Sequence, residues 1–224
     1  MNLFSPLRDI LQIDSRRKAA LFEVNWMQAE RIMSHTNFLD PSSSEDEGLL
    51  RRITRGDQMA FNHLYERYGQ RLYAYALRLT ENPALAEDIL QECMLIVWRK
   101  AATYRGEGSV QAWLLGIVRH KCMQLFRQKP AESIESHDLD FADEDPSPEK
   151  ALSQQDERSR VREALQRLSP EHREVLELVF YQGLNQKEIA QVCGCPLGTV
   201  KSRLSYARQQ LRGILTRDGL DTKG

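Results

Sequence analysis

The feature that most restricts how this chain can fold is the stretch QKEIAQVCGCPLGTVKSRLSYARQQLR, residues 186–212. Its first half predicts a short helix with an inward apolar set formed by Ile189, Ala190 and Val192. Gly194-Cys195-Pro196 then interrupts the pattern, because proline fixes its own φ and disfavours helical backbone in the residue before it. The stretch therefore predicts two helices separated by a tight turn.

The second helix is expected to begin near Leu197 and to have one apolar and one polar face. Its apolar side chains recur at helical spacing: Val200, Leu204, Ala207 and Leu211. The outward positions are polar or basic: Lys201, Ser202, Ser205, Tyr206 and Arg208. From Gly198 to Arg217 there are five cations and no acid. A helix, a turn and a basic helix with hydroxyl groups are typical of a helix-turn-helix that reads duplex DNA.

Composition is typical of a folded chain, with 41% hydrophobic and 28% charged residues. The net charge of −1 hides an uneven distribution, since acids gather in the middle and cations gather near 99–129 and 198–217. No apolar run is long enough to span a bilayer, and the N-terminus lacks the layout of a signal peptide, so we expect a cytoplasmic protein. The four cysteines and five histidines form no zinc, redox or catalytic spacing, which predicts no metal, no cofactor and no enzyme activity.

Helical periodicity covers most of residues 45–129. Asp57, Asn82-Pro83 and Ser109 are predicted helix starts, and the loop 104–108 precedes the last of four helices. Four helices whose apolar faces cannot be buried singly predict one compact helical domain. The tyrosines and tryptophans are assigned mostly to its core. Residues 1–44 are an extension with two interpretations: a regulatory or partner-binding appendage, or sequence upstream of a true start at Met27 or Met33.

Residues 130–150, PAESIESHDLDFADEDPSPEK, combine eight acids with three prolines and predict an extended, self-repelling tether. The chain should therefore have two helical domains, the second covering 151–217, with a short tail at 218–224. In that second domain a first helix is expected around 151–168. Ser169-Pro170 then predicts a helix cap, followed by a helix over 171–182 and then the helix-turn-helix.

Residues 46–216 resemble the extracytoplasmic-function (ECF) class of bacterial RNA polymerase sigma factors. Three motifs carry the resemblance: AEDILQECMLIVW (86–98), YRGEGSVQAWLLGIVRHK (104–121) and LSPEHREVLELVFYQGLNQKEIAQVCGCPLGTVKSRLSYARQQL (168–211). The resemblance implies an all-α fold, a region 2-like helical bundle and a region 4-like helix-turn-helix joined by the acidic flexible linker. It also implies a factor that binds core RNA polymerase, recognises the −10 and −35 elements of promoter DNA and directs transcription initiation without bond chemistry or a small-molecule substrate.

The resemblance assigns roles to individual residues. In the family, the helix matching 86–98 docks on a basic coiled coil of the polymerase, which carries over to Asp88, Gln91 and Glu92. The segment matching 103–129 opens the promoter at the −10 element, through Tyr104, Arg105, Trp113, Arg119, His120, Lys121 and Gln124. Here His120 stands where Asn is usual and Gln124 where Asp is usual, and Trp113 is assigned mainly to the core. The −35 readers carry over to Thr199, Lys201, Ser202, Ser205 and Tyr206, with Arg203 and Arg208 as phosphate anchors. Family members often have Arg or Lys at the position of Tyr206.

Two further implications concern regulation. The resemblance implies an anti-sigma factor as partner, which in many family members is membrane-bound. It also implies that the tether 130–150 follows the RNA exit path of the polymerase, although a plain flexible linker fits the sequence equally well. The alternatives for the whole chain are a stand-alone DNA-binding regulator and a decoy that only sequesters an anti-sigma factor. A decoy would have no reason to keep the cations of 198–217.

Overall fold

The computed structural model describes residues 41–128 and 165–217 of the chain. Within these ranges there are seven α-helices, one short 3-10 helix and no strand, which confirms the all-α fold class. The α-helices are α1 (Pro41–Thr54), α2 (Gln58–Thr80), α3 (Pro83–Lys100), α4 (Val110–Gln128), α5 (Pro170–Phe180), α6 (Gln186–Cys193) and α7 (Leu197–Arg217), and the 3-10 helix Ala101–Thr103 follows α3.

The chain separates into two compact units, one containing α1–α4 and the other containing α5 and α7. Two helical units were expected from the sequence. The tether 130–150, almost all of the helix expected before residue 168, nearly all of the N-terminal extension and the tail 218–224 lie outside the described residues. The exact domain boundaries therefore stay predictions.

Three helix starts in the first unit follow from local sequence. The Asp57 carboxylate accepts a hydrogen bond from the Ala60 N–H at 3.1 Å, and Asn82 accepts one from Leu85 N–H at 3.1 Å with Pro83 at the first helical position. The Ser109 hydroxyl accepts one from Ala112 N–H at 3.2 Å. Each side chain satisfies a backbone donor that the first turn of a helix leaves unpaired. These contacts confirm all three predicted starts.

The core of the first unit is formed by one stripe from each long helix. Its largest fully buried side chains include Ile53, Leu64, Leu72, Tyr75, Ile89, Leu114 and Leu115. Tyr65 on α2 departs from the expectation that the tyrosines lie mostly in the core, since it is 48% exposed.

A buried carboxylate joins α1 to α2. Asp46 is 2% exposed and accepts hydrogen bonds from the Tyr68 hydroxyl and from Arg67, whose Nη1 lies 2.5 Å from Asp46 Oδ1. Arg67 also pairs with Glu45 at 2.8 Å. Burial, together with the hydrogen bond to Asp46, raises the pKa of Tyr68 above its usual value. A buried charge is tolerated when it is paired and hydrogen-bonded, as it is here.

Glycines end α5 and α6. Gly183 and Gly194 have φ of 68° and 61°, a left-handed backbone that glycine adopts without steric cost. Asn185 and Glu188 form a reciprocal cap at the start of α6, because Asn185 Oδ1 accepts from Glu188 N–H at 3.1 Å and Glu188 Oε2 accepts from Asn185 N–H at 3.0 Å. The predicted helix-turn-helix is therefore present as α6, a turn at 194–196, and α7.

Ser169 departs from the expected cap. It lies at the N-cap position of α5, before Pro170, but its hydroxyl makes no capping hydrogen bond. The hydroxyl instead contacts the side chains of Glu171 and His172. Helix α5 also ends at Phe180, two residues before the expected end.

Candidate nucleic-acid and polymerase interfaces

The apolar stripe of α7 fixes which of its side chains face outward. Thr199 N–H and Val200 N–H both donate to the Pro196 carbonyl, which begins the helix directly after the turn. The four predicted inward side chains are all buried, with exposed fractions of at most 7%: Val200, Leu204, Ala207 and Leu211. Because these positions anchor one face of the helix, the residues between them form a polar face.

Most of the predicted −35 residues lie on this polar face of α7. Lys201, Ser202, Ser205 and Tyr206 are exposed, whereas Thr199, Arg203 and Arg208 are half-buried. None of the described residues hydrogen-bonds or pairs with the Lys201 ammonium group. The Ser202 hydroxyl donates to the Thr199 carbonyl at 3.0 Å, so it offers an approaching base only its acceptor lone pairs.

Three residues that the site predictions did not include border this face. The imidazole of His172 stacks on the phenol ring of Tyr206, with ring centroids 4.5 Å apart and planes inclined by 31°. Ser169 lies 2.7 Å from His172 Nδ1 and donates to Glu171 at 2.8 Å. That hydrogen bond lowers the pKa of Glu171, and the positive charge of Arg203 lowers it further. Arg203 therefore has a carboxylate neighbour, which the sequence spacing alone could not reveal.

The predicted polymerase-docking residues occupy the outer face of α3. Asp88, Gln91 and Glu92 are exposed. On the inner side Ile89, Cys93 and Val97 are at most 2% exposed. The structure also leaves Leu95 and Trp98 of the same helix 52% and 39% exposed. These two positions follow Gln91 at helical spacing, so α3 presents a polar patch continued by an apolar one.

One ion pair joins two residues that were predicted to bind different partners. The Lys121 ammonium lies 2.6 Å from Glu92 Oε2, with side chains 25% and 55% exposed. Lys121 belongs to the predicted −10 set on α4, and Glu92 belongs to the predicted docking set on α3. The two sets are therefore contiguous on the surface of the first unit.

The loop before α4 is closed by its own aromatic side chain. The Tyr104 hydroxyl donates to the Gly108 carbonyl at 2.6 Å, and the Tyr104 and Trp113 rings pack edge to face with centroids 5.8 Å apart. Gly106 and Gly108 have φ of 73° and 113°, which strongly favours glycine. Tyr104 and Trp113 are both half-buried. The loop is thus a braced structure with one aromatic cluster at its base.

The other predicted −10 residues surround this loop and α4. Arg105, His120 and Gln124 are exposed, while Arg119 and Lys121 are half-buried. The nearby acid Glu107 is exposed as well. Cations next to partly exposed aromatic rings suit a single nucleic-acid strand, because cations bind phosphates and rings stack with bases.

The described parts of the chain hold no cluster of three or more histidine, cysteine or acidic side chains that could bind a metal ion. Cys93, Cys122, Cys193 and Cys195 are free thiols, and the first three are buried. Burial raises the pKa of the Cys93 thiol to about 12. No helix within the described ranges is both long and apolar enough to cross a membrane.

Comparison with known proteins identifies the two units. Residues 64–131 match the sigma-70 region 2 family and residues 164–213 match the sigma-70 region 4 family. The ECF RNA polymerase sigma factor SigK of Mycobacterium bovis is 32% identical over 177 residues, covering 77% of this chain and 95% of SigK. The RNA polymerase sigma-H factor of Pseudomonas aeruginosa is 28% identical over 180 residues, covering 76% of this chain and 93% of that protein.

A solved structure agrees with these sequence relationships. The sigma factor RpoE of Bartonella quintana, crystallised with the anti-sigma factor NepR, superposes with a TM-score of 0.51 at 25% identity, covering 69% of this chain and 96% of that chain. Region 2 is represented by α2–α4, and region 4 is represented by α5–α7. The chain belongs to the ECF family of RNA polymerase sigma factors.

Proposed function

We propose that this chain binds core RNA polymerase, recognises −10 and −35 promoter elements and directs transcription initiation under the control of an anti-sigma factor. The observation that carries the proposal is the polar face of α7. Lys201, Ser202, Ser205 and Tyr206 are exposed there, and the apolar residues on the opposite face of the same helix are buried. Such a helix can enter a major groove without disturbing the fold that supports it. The proposed function consists of recognising polymerase and promoter DNA, and no residue is assigned a catalytic role.

The electrostatics of α7 favour duplex DNA as its ligand. Residues 197–213 contain four cations and no acid, which suits contact with phosphates on either side of a groove. Lys201 is the principal base reader because its ammonium is exposed and has no partner among the described residues. Arg203 and Arg208 are half-buried at the edge of this face and are assigned to phosphates.

The braced loop and α4 are assigned to the −10 element. Arg105, His120 and Gln124 are exposed around the cluster of Tyr104 and Trp113. The Tyr104 hydroxyl is already used within the loop, so Tyr104 contributes mainly its ring and the shape of the loop. A preformed loop lowers the entropy cost of holding an unpaired base.

The outer face of α3 is assigned to core polymerase. Asp88, Gln91 and Glu92 offer two carboxylates and an amide to a basic partner helix. Leu95 and Trp98 add apolar area beside them, as expected for an interface with an apolar centre and a polar rim. Glu92 is already paired with Lys121, so Asp88 is the carboxylate that tests docking without altering a −10 residue.

Control by an anti-sigma factor is supported by the relative that was crystallised with one, RpoE with NepR. A protein that covered α3 would compete directly with polymerase for Asp88 and Gln91. We place the chain in the cytoplasm, where a membrane-bound anti-sigma factor would couple it to an external signal. The tether 130–150 stays assigned either to the RNA exit path or to a plain linker.

DNA binding with and without core polymerase tests the proposal against the stand-alone regulator. We expect the isolated chain to bind promoter fragments weakly and the complex with core polymerase to bind them tightly and selectively. Tight, sequence-specific binding by the isolated chain, unchanged by polymerase, would favour the stand-alone regulator. Failure to bind core polymerase at all would exclude the proposed function.

A further inference from the structure

A stacked His–Tyr pair distinguishes the DNA-facing surface of the second unit. The rings of His172, on α5, and Tyr206, on α7, lie 4.5 Å apart with an inclination of 31°. Tyr206 nevertheless stays 48% exposed. One part of the phenol ring is therefore covered by the histidine, and the remainder is exposed on the face of α7 that also carries Ser202, one turn away.

A chain of hydrogen bonds fixes the orientation of the histidine. The Ser169 hydroxyl donates its single hydrogen to Glu171 Oε2 at 2.8 Å. The oxygen of the same hydroxyl lies 2.7 Å from His172 Nδ1, so it must accept from that nitrogen, which therefore carries a hydrogen. The imidazole plane is thus held by Ser169 and in turn limits the orientations open to Tyr206. A side chain with fewer orientations loses less entropy when it binds.

The chemistry of Tyr206 differs from that of a cation at the same position. An arginine or lysine there would favour guanine, whose O6 and N7 both accept hydrogen bonds in the major groove. A tyrosine ring offers apolar surface instead. The matching apolar group in the major groove is the C5-methyl of thymine.

We propose that His172 is a positioning residue that holds Tyr206 against the C5-methyl group of a thymine in the −35 element. The inference rests on the proposed function, because it assumes that α7 reads the −35 element within the polymerase complex. A residue of α5 would then contribute to base selection by a surface whose other residues lie on α7. Thymine is then the base that residue 206 selects.

The experiment uses the full chain with core polymerase and a promoter library randomised across the −35 element. We expect the unmodified chain to select thymine at one position at which Tyr206→Arg selects guanine. Deoxyuridine at that position, which removes only the methyl group, should then reduce initiation about fourfold, the factor expected for burying one methyl group. With Tyr206→Ala the same replacement should change initiation less than about 1.5-fold, because no ring contacts the methyl group.

The histidine is tested with two variants. His172→Ala should lose most of the deoxyuridine effect, whereas His172→Phe should retain a larger share of it, because a phenyl ring can stack on Tyr206 although it cannot bond to Ser169. Thermal unfolding and polymerase affinity of both variants control for a general loss of structure. The phenylalanine variant keeps the test decisive even where the alanine variant folds poorly.

Several results would overturn the inference. These are the absence of a selected thymine, an unmodified chain insensitive to deoxyuridine, or equal sensitivity in the unmodified chain and a folded His172→Ala. Each of them leaves initiation by the unmodified chain intact, so the proposed function survives. No initiation by the unmodified chain on any library member would instead remove the proposed function and this inference together.

Discussion

Replacing Lys201 with alanine should reduce discrimination between promoters more than it reduces DNA affinity in general. The Lys201 ammonium is exposed on α7, and none of the described residues pairs with it, so its hydrogen bonds are available to a base. Arg208 on the same helix is half-buried and is assigned to a phosphate. Removal of Lys201 should therefore reduce sequence preference, whereas removal of Arg208 should reduce DNA affinity on any sequence.

The magnitudes follow from these two roles. Loss of a base contact costs about 1–3 kcal/mol on the correct sequence alone, so Lys201→Ala should reduce the preference for the correct −35 element by about 5- to 150-fold. DNA affinity falls as salt rises, and loss of one phosphate contact makes the slope of log K for DNA binding against log salt concentration shallower by about 0.9. The affinity ratio of the unmodified chain to Arg208→Ala should then shrink about 3.5-fold when salt rises fourfold, on any sequence.

The assay is equilibrium binding of the polymerase complex to two promoter fragments that differ only in the −35 element, at two salt concentrations. Arg55→Ala serves as the matched control, because it removes an exposed cation from the first unit, between α1 and α2. Equal losses on both fragments with a reduced salt slope would make Lys201 a phosphate anchor. Unchanged affinity and preference would refute the assignment of α7 to the −35 element.

Three further outcomes are expected. Asp88→Lys should weaken core polymerase binding about tenfold, with Glu66→Lys on α2 as the exposed control; equal affinities would exclude docking through α3. Asp46→Ala should lower the free energy of unfolding by about 2–4 kcal/mol, because it leaves the buried Tyr68 hydroxyl without its acceptor, and denaturant titration showing a loss under about 1 kcal/mol would contradict this. Above the ordinary thiol pKa of 9.0 the free energy of unfolding should fall with rising pH, because burial raises the pKa of Cys93 to about 12 and only the unfolded chain releases that proton. In Cys93→Ala this fall should be shallower by up to ~1.4 kcal/mol per pH unit. Identical pH profiles for the variant and the unmodified chain would contradict the raised pKa of Cys93.

The parts of the fold that depend on neighbouring residues could be predicted from the sequence. Asp57, Asn82 and Ser109 cap the helices that they precede, because a cap needs only a short polar side chain and the next turn of backbone. The inward stripe of α7 was predictable for the same reason, since its spacing matches one face of a helix. The cap formed by Asn185 and Glu188 was equally local but was not predicted, although N-x-x-E is a recognisable signal.

The pairings between helices could not be predicted in this way. Glu92 with Lys121 and His172 with Tyr206 join residues about thirty positions apart, and only the packing of the helices brings each pair together. The sequence assigned Glu92 and Lys121 to separate partners, and it gave no role to His172. Ser169 shows the same limit, because its hydroxyl contacts His172 and Glu171 in place of the expected backbone donor. The assignments of individual residues to DNA and polymerase stay predictions.

The most direct test of the central claim is to sequence the 5′ ends of RNA made by core polymerase on a genomic library, with and without this chain. The account predicts discrete new start sites that appear only with the chain, share paired −35 and −10 sequences, and lose their −35 preference with Lys201→Ala. Start sites that are unchanged by the chain, or new sites that share no upstream sequence, would contradict it.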